Sequence, residues 1–234
     1  MNIALFGYGK MGKMIAQLAE NRNHTIVVKI DVEHTEIDFS VIDVAIDFSQ
    51  PDAAFNNIKM CLENNTPIIS GTTGWLDKYD DAITLCKQHN GAFIYASNFS
   101  LGVNLFFELN DYLSKMMANI DEYAVAMEEI HHTQKLDAPS GTAITLAEGI
   151  IKNTKYANWE LDKAAENNIP IVAKRIEAVP GTHTINYSSS VDAIEIKHTA
   201  HNREGFALGA IAAAEWIIGK NGVFTMKDVL NIKK

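Results

Sequence analysis

The first hundred residues alternate between short apolar runs and longer stretches with apolar residues at helical spacing. The apolar runs, which are typical of buried strands, cover residues 3–6, 25–31, 41–48, 67–70 and 92–96. The stretches between them predict helices over residues 10–20, 51–64 and 77–89. Strands that alternate with helices predict a parallel sheet wound on both faces, and hence an α/β fold.

The pattern changes after about residue 98. Residues 103–117 predict a long helix rich in Leu, Phe and Met, and strand-like runs follow at residues 122–130, 171–179, 183–190 and 193–199. A predicted helix after Gly141 separates the first two runs. This arrangement predicts a second, α+β domain with a mainly antiparallel sheet. The polar stretch 152–168 is expected to be a surface connection with some helix, and the Ala-rich helix over 206–218 is expected to pack back on the first domain.

Composition narrows the class of protein. Hydrophobic residues make up 47% and charged residues 21% of the 234 residues, which is ordinary for a globular chain with its own core. The formal net charge of −9 opposes general nucleic-acid binding, which needs clustered Lys and Arg. No apolar stretch approaches the ~18 residues of a membrane span and no leader pattern is present, so we expect no membrane partner and a cytoplasmic protein. Cys61 and Cys86 are expected to be reduced, buried thiols.

A glycine motif follows the first predicted strand and opens the first predicted helix. Its residues are Gly7, Tyr8, Gly9, Lys10, Met11 and Gly12, which form the pattern G-x-G-x-x-G. In this context the pattern indicates a dinucleotide-binding loop: Gly7 permits the turn, Gly9 admits the pyrophosphate and Gly12 lets the helix lie against the strand. The N–H groups at the helix start would face the phosphates. The alternative is a glycine turn without a ligand.

Asp31 bears on the choice of cofactor. It ends the second predicted strand, about 20 residues after the glycines, where a carboxylate can accept hydrogen bonds from a ribose diol. It would also repel a 2′-phosphate, which favours NADH over NADPH. Lys10 and Lys13 are close enough in sequence to pair with such a phosphate, so use of NADPH stays open, as does a purely solvated role for Lys13.

Two further loops end strands on the same side of the predicted sheet. The first contains Gly71, Thr72, Thr73 and Gly74, whose small and hydroxyl-bearing side chains suit a nicotinamide ribose. The second contains Ala96, Ser97, Asn98 and Phe99, in which the Asn can bind an amide. Because ligands of such sheets lie at the carboxyl ends of the strands, we expect both loops to line the cofactor cleft. Plain turns are the alternative.

A second motif, over residues 129–143, suits a small anionic substrate. His131 and His132 are neighbours, so in an extended segment their side chains point in opposite directions. A histidine can donate a proton near neutral pH, and Lys135 can hold a carboxylate or donate a proton. Gly141 and Thr142 open a predicted helix, where free N–H groups bind carboxylates. A lone histidine usually has a structural role. Two histidines beside Lys135 and a helix start make a purely structural role less favoured.

Other chemistries are poorly supported by the spacing of residues. His183, His198 and His201 follow the second motif, but they have no neighbouring Cys or paired carboxylate, so we expect no metal. The sequence has no Gly-x-Ser-x-Gly and no Cys/His arrangement that would favour nucleophilic catalysis.

With both motifs in view, the sequence resembles the 4-hydroxy-tetrahydrodipicolinate reductase (dihydrodipicolinate reductase) family over nearly its whole length. The resemblance runs through Met11-Gly12, Asp47-Phe48-Ser49, Gly71 to Gly74, Ser97 to Asn104 and Glu129 to Ala143. The run His-His-x-x-Lys-x-Asp-Ala-Pro-Ser-Gly-Thr-Ala, which begins at His131, is highly specific to that family.

The resemblance implies both a fold and a reaction. It implies a Rossmann-type dinucleotide-binding domain over residues 1–102 and 206–234, with a substrate-binding and tetramerisation domain over 103–205. Members reduce a small cyclic imine bearing two carboxylates, with loss of water, in lysine biosynthesis through diaminopimelate, and they are typically homotetramers. By position, His131 and Lys135 would donate protons, and His132, Gly141 and Thr142 would bind the substrate carboxylates. The cofactor residues would be Gly7 to Gly12, Asp31, Gly71 to Thr73 and Ala96 to Phe99.

Two departures from the family pattern concern the cofactor. The glycine loop is one residue shorter than in many members, and Val32 stands where some members carry an Arg that could pair with a 2′-phosphate. Both leave NADH favoured, with NADPH as the second choice. Another NAD(P)-dependent imine or amino-acid reductase and a non-catalytic dinucleotide sensor are the competing functions.

Overall fold

The computed structural model of the protein describes residues 1–31 and 36–232. The chain divides into two compact units, Met1–Leu101 with Glu204–Lys234, and Gly102–Arg203. In chain order the strands are β1 (Asn2–Phe6), β2 (Thr25–Ile30), β3 (Val44–Asp47), β4 (Ile68–Ser70), β5 (Ala92–Tyr95), β6 (Ala124–His131), β7 (Asn158–Leu161), β8 (Asn168–Arg175), β9 (Gly181–Ser188), β10 (Ala193–Ala200) and β11 (Gly222–Phe224). The helices are α1 (Lys10–Asn21), α2 (Pro51–Glu63), α3 (Tyr79–Gln88), α4 (Leu101–Met117), α5 (Gly141–Asn153), α6 (Glu204–Ile217) and α7 (Met226–Val229), with 3₁₀ turns at Phe39–Val41 and Leu76–Lys78.

The first unit is built on a six-stranded parallel sheet in the order β11-β5-β4-β3-β1-β2. Alternate residues of each strand enter opposite cores, because successive side chains point to opposite faces. In β1, Ile3 and Leu5 pack with α1 and α6, whereas Ala4 and Phe6 pack with α2 and α3. The predicted parallel sheet covered on both faces is therefore confirmed.

Close packing of α6 depends on a glycine. A Cβ on Gly209 would collide with the backbone of Phe99, so the helix can lie this near to the chain after β5 only because that atom is missing. The Ala-rich helix thereby packs on the first unit, as its apolar pattern predicts, and buries Ala210, Ile211 and Ala214.

The second unit has a five-stranded sheet in the order β10-β9-β6-β8-β7. The pairs β10–β9 and β9–β6 are antiparallel, whereas β6–β8 and β8–β7 are parallel. Helices α4 and α5 cover one face and enclose Phe106, Leu146, Ile150 and Ile185. Strand β7 was not predicted; four residues of mixed polarity give little signal before they pair with β8.

Cys61 and Cys86 are buried and free, as expected. Among the helices of the described residues, none combines the length and the apolar character needed to cross a membrane.

Candidate functional site

The glycine loop of the first unit has little steric freedom. Gly7 has φ +89°, and a Cβ there would meet the backbone of Phe48 and Ser49. A Cβ on Gly12 would collide with the carbonyl oxygen of Gly7. Gly9 differs, because among the described residues, its chain neighbours aside, no atom lies within 4 Å of the position that its Cβ would take. Protein packing therefore explains Gly7 and Gly12, whereas the space beside Gly9 is open to a ligand.

Helix α1 begins with its first N–H groups directed at that space. Gly9 is the N-cap residue and offers no side chain, while the Lys13 N–H donates to the Gly9 carbonyl oxygen at 3.0 Å. The N–H groups of Lys10, Met11 and Gly12 precede the first residues that have a helical acceptor. These donors and the positive end of the helix dipole form a surface suited to phosphate.

Asp31 and Tyr8 lie at neighbouring strand ends. Asp31 follows the last residue of β2 and is exposed, as a ribose-binding carboxylate must be. The Lys29 ammonium lies 5.0 Å from the centre of the Tyr8 ring, a cation–π distance. Val32, where the departure from the family pattern falls, lies outside the described residues.

Asp47, the last residue of β3, organises the neighbouring loops. Its buried carboxylate accepts hydrogen bonds from Ser49 Oγ at 2.6 Å, Asn57 Nδ2 at 2.9 Å, Ser70 Oγ at 2.7 Å and Thr72 Oγ1 at 2.8 Å. Burial raises the pKa of Asp47, and these four donors oppose that rise. The Ser49 N–H also donates to Thr72 Oγ1 at 2.8 Å. The loops after β3 and β4 are thus tied to each other.

These loops surround a cavity of about 220 Å³. It is lined by Met11, Phe48, Ser49, Pro51, Gly71, Thr72 and Thr73. Four of these residues come from the sequence-predicted cofactor set, and Phe48, Ser49 and Pro51 were missed. The signal was present, since all three follow the carboxyl end of a predicted parallel strand.

The loop after β5 contributes differently. Phe99 is buried, and its ring centre lies 5.8 Å from that of Phe48. Asn98 Oδ1 accepts a hydrogen bond from the Ser100 N–H at 2.9 Å. Residues 96–99 and Asp31 are not among the described residues that line the cavity. The Phe99 side chain packs against Phe48, which lines the cavity.

In the second unit, β6 ends at the paired histidines. His131 is the last residue of the strand and is buried, whereas His132 is half-buried and its Nε2 lies 3.5 Å from Arg203 Nη2. The His131 ring packs edge-on against His183 of β9, with ring centres 5.0 Å apart. His131 and His132 therefore occupy different surroundings, as expected for neighbours in an extended strand.

His131 is neutral in these surroundings. Burial is the largest cause, and with the positive charges of Lys135 and Arg175 it lowers the pKa of His131 from 6.5 to about 4, although Glu129 opposes the shift. Within the described residues His131 Nδ1 is buried without a hydrogen-bond partner, 3.5 Å from Glu129 Oε2. The sequence predicts a histidine with a pKa near 6.5 here, and the buried position lowers it.

Glu129, two residues earlier on the same face of β6, is buried and ionised. Burial opposes its ionisation, but the hydrogen bonds from His183 and Ser140 outweigh this and lower the pKa of Glu129 to about 2. Both of its oxygens lie 3.1 Å from the Ser140 N–H, and Oε1 lies 3.2 Å from Arg175 Nη2.

Lys135 lies in the loop between β6 and α5. Its Nζ lies 2.8 Å from both carboxylate oxygens of Asp137, and hydrogen bonding from Lys135 is the main reason why the pKa of Asp137 is lowered. The Lys135 side chain is 22% exposed, and this exposed part leaves room for a second anion at its ammonium group.

Helix α5 begins immediately after this loop. Ser140 is the N-cap residue, and its Oγ accepts a hydrogen bond from the Ala143 N–H at 3.2 Å. Gly141 is exposed, and apart from adjacent backbone no described atom lies within 4 Å of the position that its Cβ would take. The N–H groups of Gly141 and Thr142 precede the first helical acceptors, so they face open space at the positive end of the helix.

Three potential metal-ligating side chains of the described residues lie close together. They are those of Glu129, His131 and His183, whose ligating atoms lie within 4.8 Å of one another. The guanidinium of Arg175 lies 3.2 Å from the same carboxylate and would repel a cation. Among the described residues, His183 is grouped with Glu129 and His131 rather than with His198 and His201.

Glu129, Arg175 and His183 were missed by the sequence analysis. Alternation along β6 places Glu129 on the face of His131, which is a usable signal. Arg175 and His183 gave none, because they lie on β8 and β9, more than 40 residues away along the chain.

Together, the parallel sheet with its glycine loop and the second unit with its cluster of His, Lys and helix N–H groups define the class of two-domain, dinucleotide-dependent oxidoreductases. Family models for the dihydrodipicolinate reductase N-terminus and C-terminus match residues 1–99 and 102–230. The chain belongs to the dihydrodipicolinate reductase family.

Individual relatives agree with this assignment. The 4-hydroxy-tetrahydrodipicolinate reductase of Christiangramia forsetii is 59% identical, over 99% of this chain and 98% of its own length. The enzyme of that name from Thermosipho africanus is 36% identical, over 98% of both chains. A dipicolinate-bound dihydrodipicolinate reductase from Paenisporosarcina sp. TG-14 has the same fold, with a TM-score of 0.82 at 22% identity, and the alignment covers 100% of this chain and 99% of that one.

Proposed function

We propose that this protein reduces 4-hydroxy-tetrahydrodipicolinate to tetrahydrodipicolinate, with loss of water and with a nicotinamide dinucleotide as reductant, in lysine biosynthesis through diaminopimelate. The observation that carries the proposal is the second-unit cluster. It brings His131 and the start of α5 to one buried carboxylate, with the charge of Lys135 acting on His131, in a chain of the matching family.

A bound nicotinamide dinucleotide supplies the hydride, and the side chains of the second unit manage the charge. Hydride addition makes the substrate skeleton more negative, so a nearby proton donor and a cation lower the barrier. We assign His131 as the proton donor and Lys135 as the second donor. Water leaves when the hydroxyl receives one proton, the C–O bond breaks and the adjacent ring carbon releases one proton to form a double bond. The hydride and a second proton then reduce the ring, so the net reaction consumes one hydride and one proton.

Two substrate carboxylates need two sites of positive potential. We assign His132, Gly141 and Thr142 to them, because the first N–H groups of α5 face open space and His132 lies beside Arg203. These carboxylates also solve the difficulty posed by His131. Two negative charges brought near the ring raise its pKa from about 4 towards neutrality, which makes the proton available only when substrate is bound.

We assign the dinucleotide to the first unit. Gly7, Tyr8, Gly9, Lys10, Met11 and Gly12 would hold the pyrophosphate, and Asp31 the adenosine ribose. Gly71, Thr72 and Thr73 would border the nicotinamide ribose, together with Ala96, Ser97, Asn98 and Phe99. The carboxylate of Asp31 favours NADH, and the exposed Lys10 leaves use of NADPH open. No metal takes part in this proposal.

The assembly we propose is a homotetramer joined through the sheets of the second unit. On the face opposite α4 and α5, the central strand β6 presents Ala124 and Ala126, both exposed. Small side chains leave a flat surface that another sheet can approach closely. Light scattering after size-exclusion chromatography measures the mass, and a monomer at micromolar concentration would contradict this assembly.

The decisive experiment compares initial rates with NADH and NADPH on substrate generated in place by dihydrodipicolinate synthase. We expect turnover with both reductants and a larger kcat/KM with NADH. Other cyclic imino acids serve as controls. Turnover of those controls at an equal rate would favour a different imine reductase, and dinucleotide binding without any turnover would favour a sensor.

A further inference from the structure

Arg175, on β8, is the residue that joins the separate parts of the second-unit cluster. Its Nη2 lies 2.6 Å from the carbonyl oxygen of Asp137 and 3.2 Å from Glu129 Oε1, and its Nε lies 3.3 Å from the carbonyl oxygen of Lys135. One guanidinium therefore contacts the loop between β6 and α5 at two backbone positions and the central strand at a third point.

Glu129 extends this connection to the start of α5 and to His131. Its two oxygens accept from the Ser140 N–H, the N-cap residue of the helix, and Oε2 lies 3.5 Å from His131 Nδ1 and 3.7 Å from His183 Nε2. The start of α5 and His131 thus contact Glu129, and the loop that carries Lys135 contacts Arg175.

We propose that Glu129 and Arg175 are positioning residues that hold His131, the Lys135 loop and the start of α5 in the arrangement needed for reduction. Neither touches substrate in this scheme, which rests on the proposed function. Each acts through the groups that it fastens.

A purely structural purpose accounts poorly for this ion pair. Burying two charges costs much of what their attraction returns, and apolar residues of similar volume often serve stability as well or better. What apolar residues cannot supply is a planar set of donors that fixes two carbonyl oxygens and a carboxylate at once. Arg175 of this pair donates to two backbone oxygens of the loop that carries Lys135.

The charges around His131 explain why Glu129 must be a carboxylate. Glu129 faces the ring from β6, His183 faces it from β9, and positive charge arrives from Arg175 on β8 and from Lys135 in the loop. Glu129 is the one group among these that favours the imidazolium, and its own pKa of about 2 keeps it ionised at working pH. Removal of its charge should make His131 harder to protonate.

The first test substitutes Arg175. We expect Arg175→Met to raise the substrate KM about 10-fold and to lower kcat about 10-fold, since both anion binding and proton donation lose their alignment. Arg175→Lys keeps a cation beside Glu129 but cannot span three acceptors, so its kcat/KM should stay about 10-fold below that of the wild type. The dissociation constant for NADH should not change in either variant.

An activity-independent measurement accompanies the kinetics. Amide hydrogen exchange over residues 132–140 should be faster in both Arg175 variants, because two backbone carbonyls have lost their common donor. Asp121→Asn is the matched control: it breaks an exposed ion pair of the same unit, with Lys155 at 2.6 Å, and should change neither exchange in the loop nor kinetics. If Arg175→Met does not fold, Arg175→Lys decides the question.

The second test uses Glu129→Gln, which keeps an oxygen for Ser140 but removes the charge. Its alkaline limb in the pH profile of kcat/KM should move about one unit to lower pH. The proposal is overturned if the Arg175 variants keep kcat/KM within about threefold of wild type while melting at lower temperature, or if the Glu129→Gln profile is unshifted. Absence of turnover in the wild type would instead refute the proposed function. The exchange measurement would still show whether Arg175 holds the loop that carries Lys135.

Discussion

The Nδ1 atom of His131 lies 3.5 Å from Oε2 of Glu129, and both side chains are buried. An ionised carboxylate therefore faces a ring that is itself neutral at working pH, because burial of His131 outweighs the attraction. The site is prepared for an imidazolium that forms only when more negative charge arrives.

The first prediction concerns His131→Gln and has two parts. Turnover should fall by about 100-fold or more, because a general acid is lost, while NADH binding stays near normal. Stability should also respond to pH. The pKa of His131 is about 4 in the folded protein and 6.5 in the unfolded chain, so the unfolded chain binds this proton more tightly. The free energy of unfolding of the wild type therefore declines as pH falls from 6.5 to 4.

The variant lacks this group, so its free energy of unfolding should decline less over the same range, by up to about 3 kcal/mol. Urea unfolding at several pH values measures the difference. Parallel stability curves for the wild type and the variant would show that His131 is not held neutral, and undiminished turnover would remove it from the mechanism.

The second prediction concerns Lys135→Ala. Turnover should fall by about 100-fold because a cation and a proton donor disappear from the substrate site. Stability should change little, since the pair with Asp137 is short-range and partly exposed. Lys152→Ala, at an exposed position near the end of α5, is the control and should turn over normally. Steady-state kinetics compare the two variants, and equal rates would exclude a role for the Lys135 ammonium.

The third prediction separates folding from binding at Gly141. Apart from adjacent backbone, no atom of the described residues lies within 4 Å of a Cβ at this position, so Gly141→Ala should fold at least as well as the wild type and gain up to about 1 kcal/mol from helix propensity. The added methyl group would occupy the space assigned to a substrate carboxylate, and the substrate KM should rise about 10-fold.

Thermal unfolding and substrate KM are measured on the same preparations. Glu148→Ala, which is exposed on the same helix, controls for a general change in helix stability. An unchanged KM in Gly141→Ala would show that the substrate carboxylates bind elsewhere.

The fourth prediction concerns Asp47→Asn in the first unit. The carboxylate has four side-chain donors, and an amide cannot accept from all of them, so stability should fall by about 1–3 kcal/mol. Because Ser49 and Thr72 line the cavity and are held by Asp47, the dissociation constant for NADH should rise as well.

Asp43→Asn alters the exposed residue that precedes the same strand and serves as the control. Fluorescence titration with NADH and denaturant unfolding provide the two readouts. If Asp47→Asn lost stability without weaker NADH binding, the loops after β3 and β4 would not belong to the dinucleotide site.

Much of the fold was accessible from local pattern. The parallel sheet of the first unit follows from short apolar runs that alternate with helical stretches, because a strand buried on both faces is apolar at nearly every position. The strands β7 and β11 were not predicted, because β7 is of mixed polarity and β11 has only two apolar residues after a glycine. Pairing with β8 and β5 supplies what this local sequence does not.

The candidate site divides in the same way. The sequence by itself determined the glycine loop and the run from His131 to Thr142, because their chemistry depends on residues that are neighbours along the chain. Only the tertiary structure decided that Arg175 and His183 join Glu129 and His131, and that Thr72 donates to Asp47. Strand pairing brings these residues together across long stretches of chain, and burial there lowers the pKa of His131 to about 4, which its place in the sequence could not indicate.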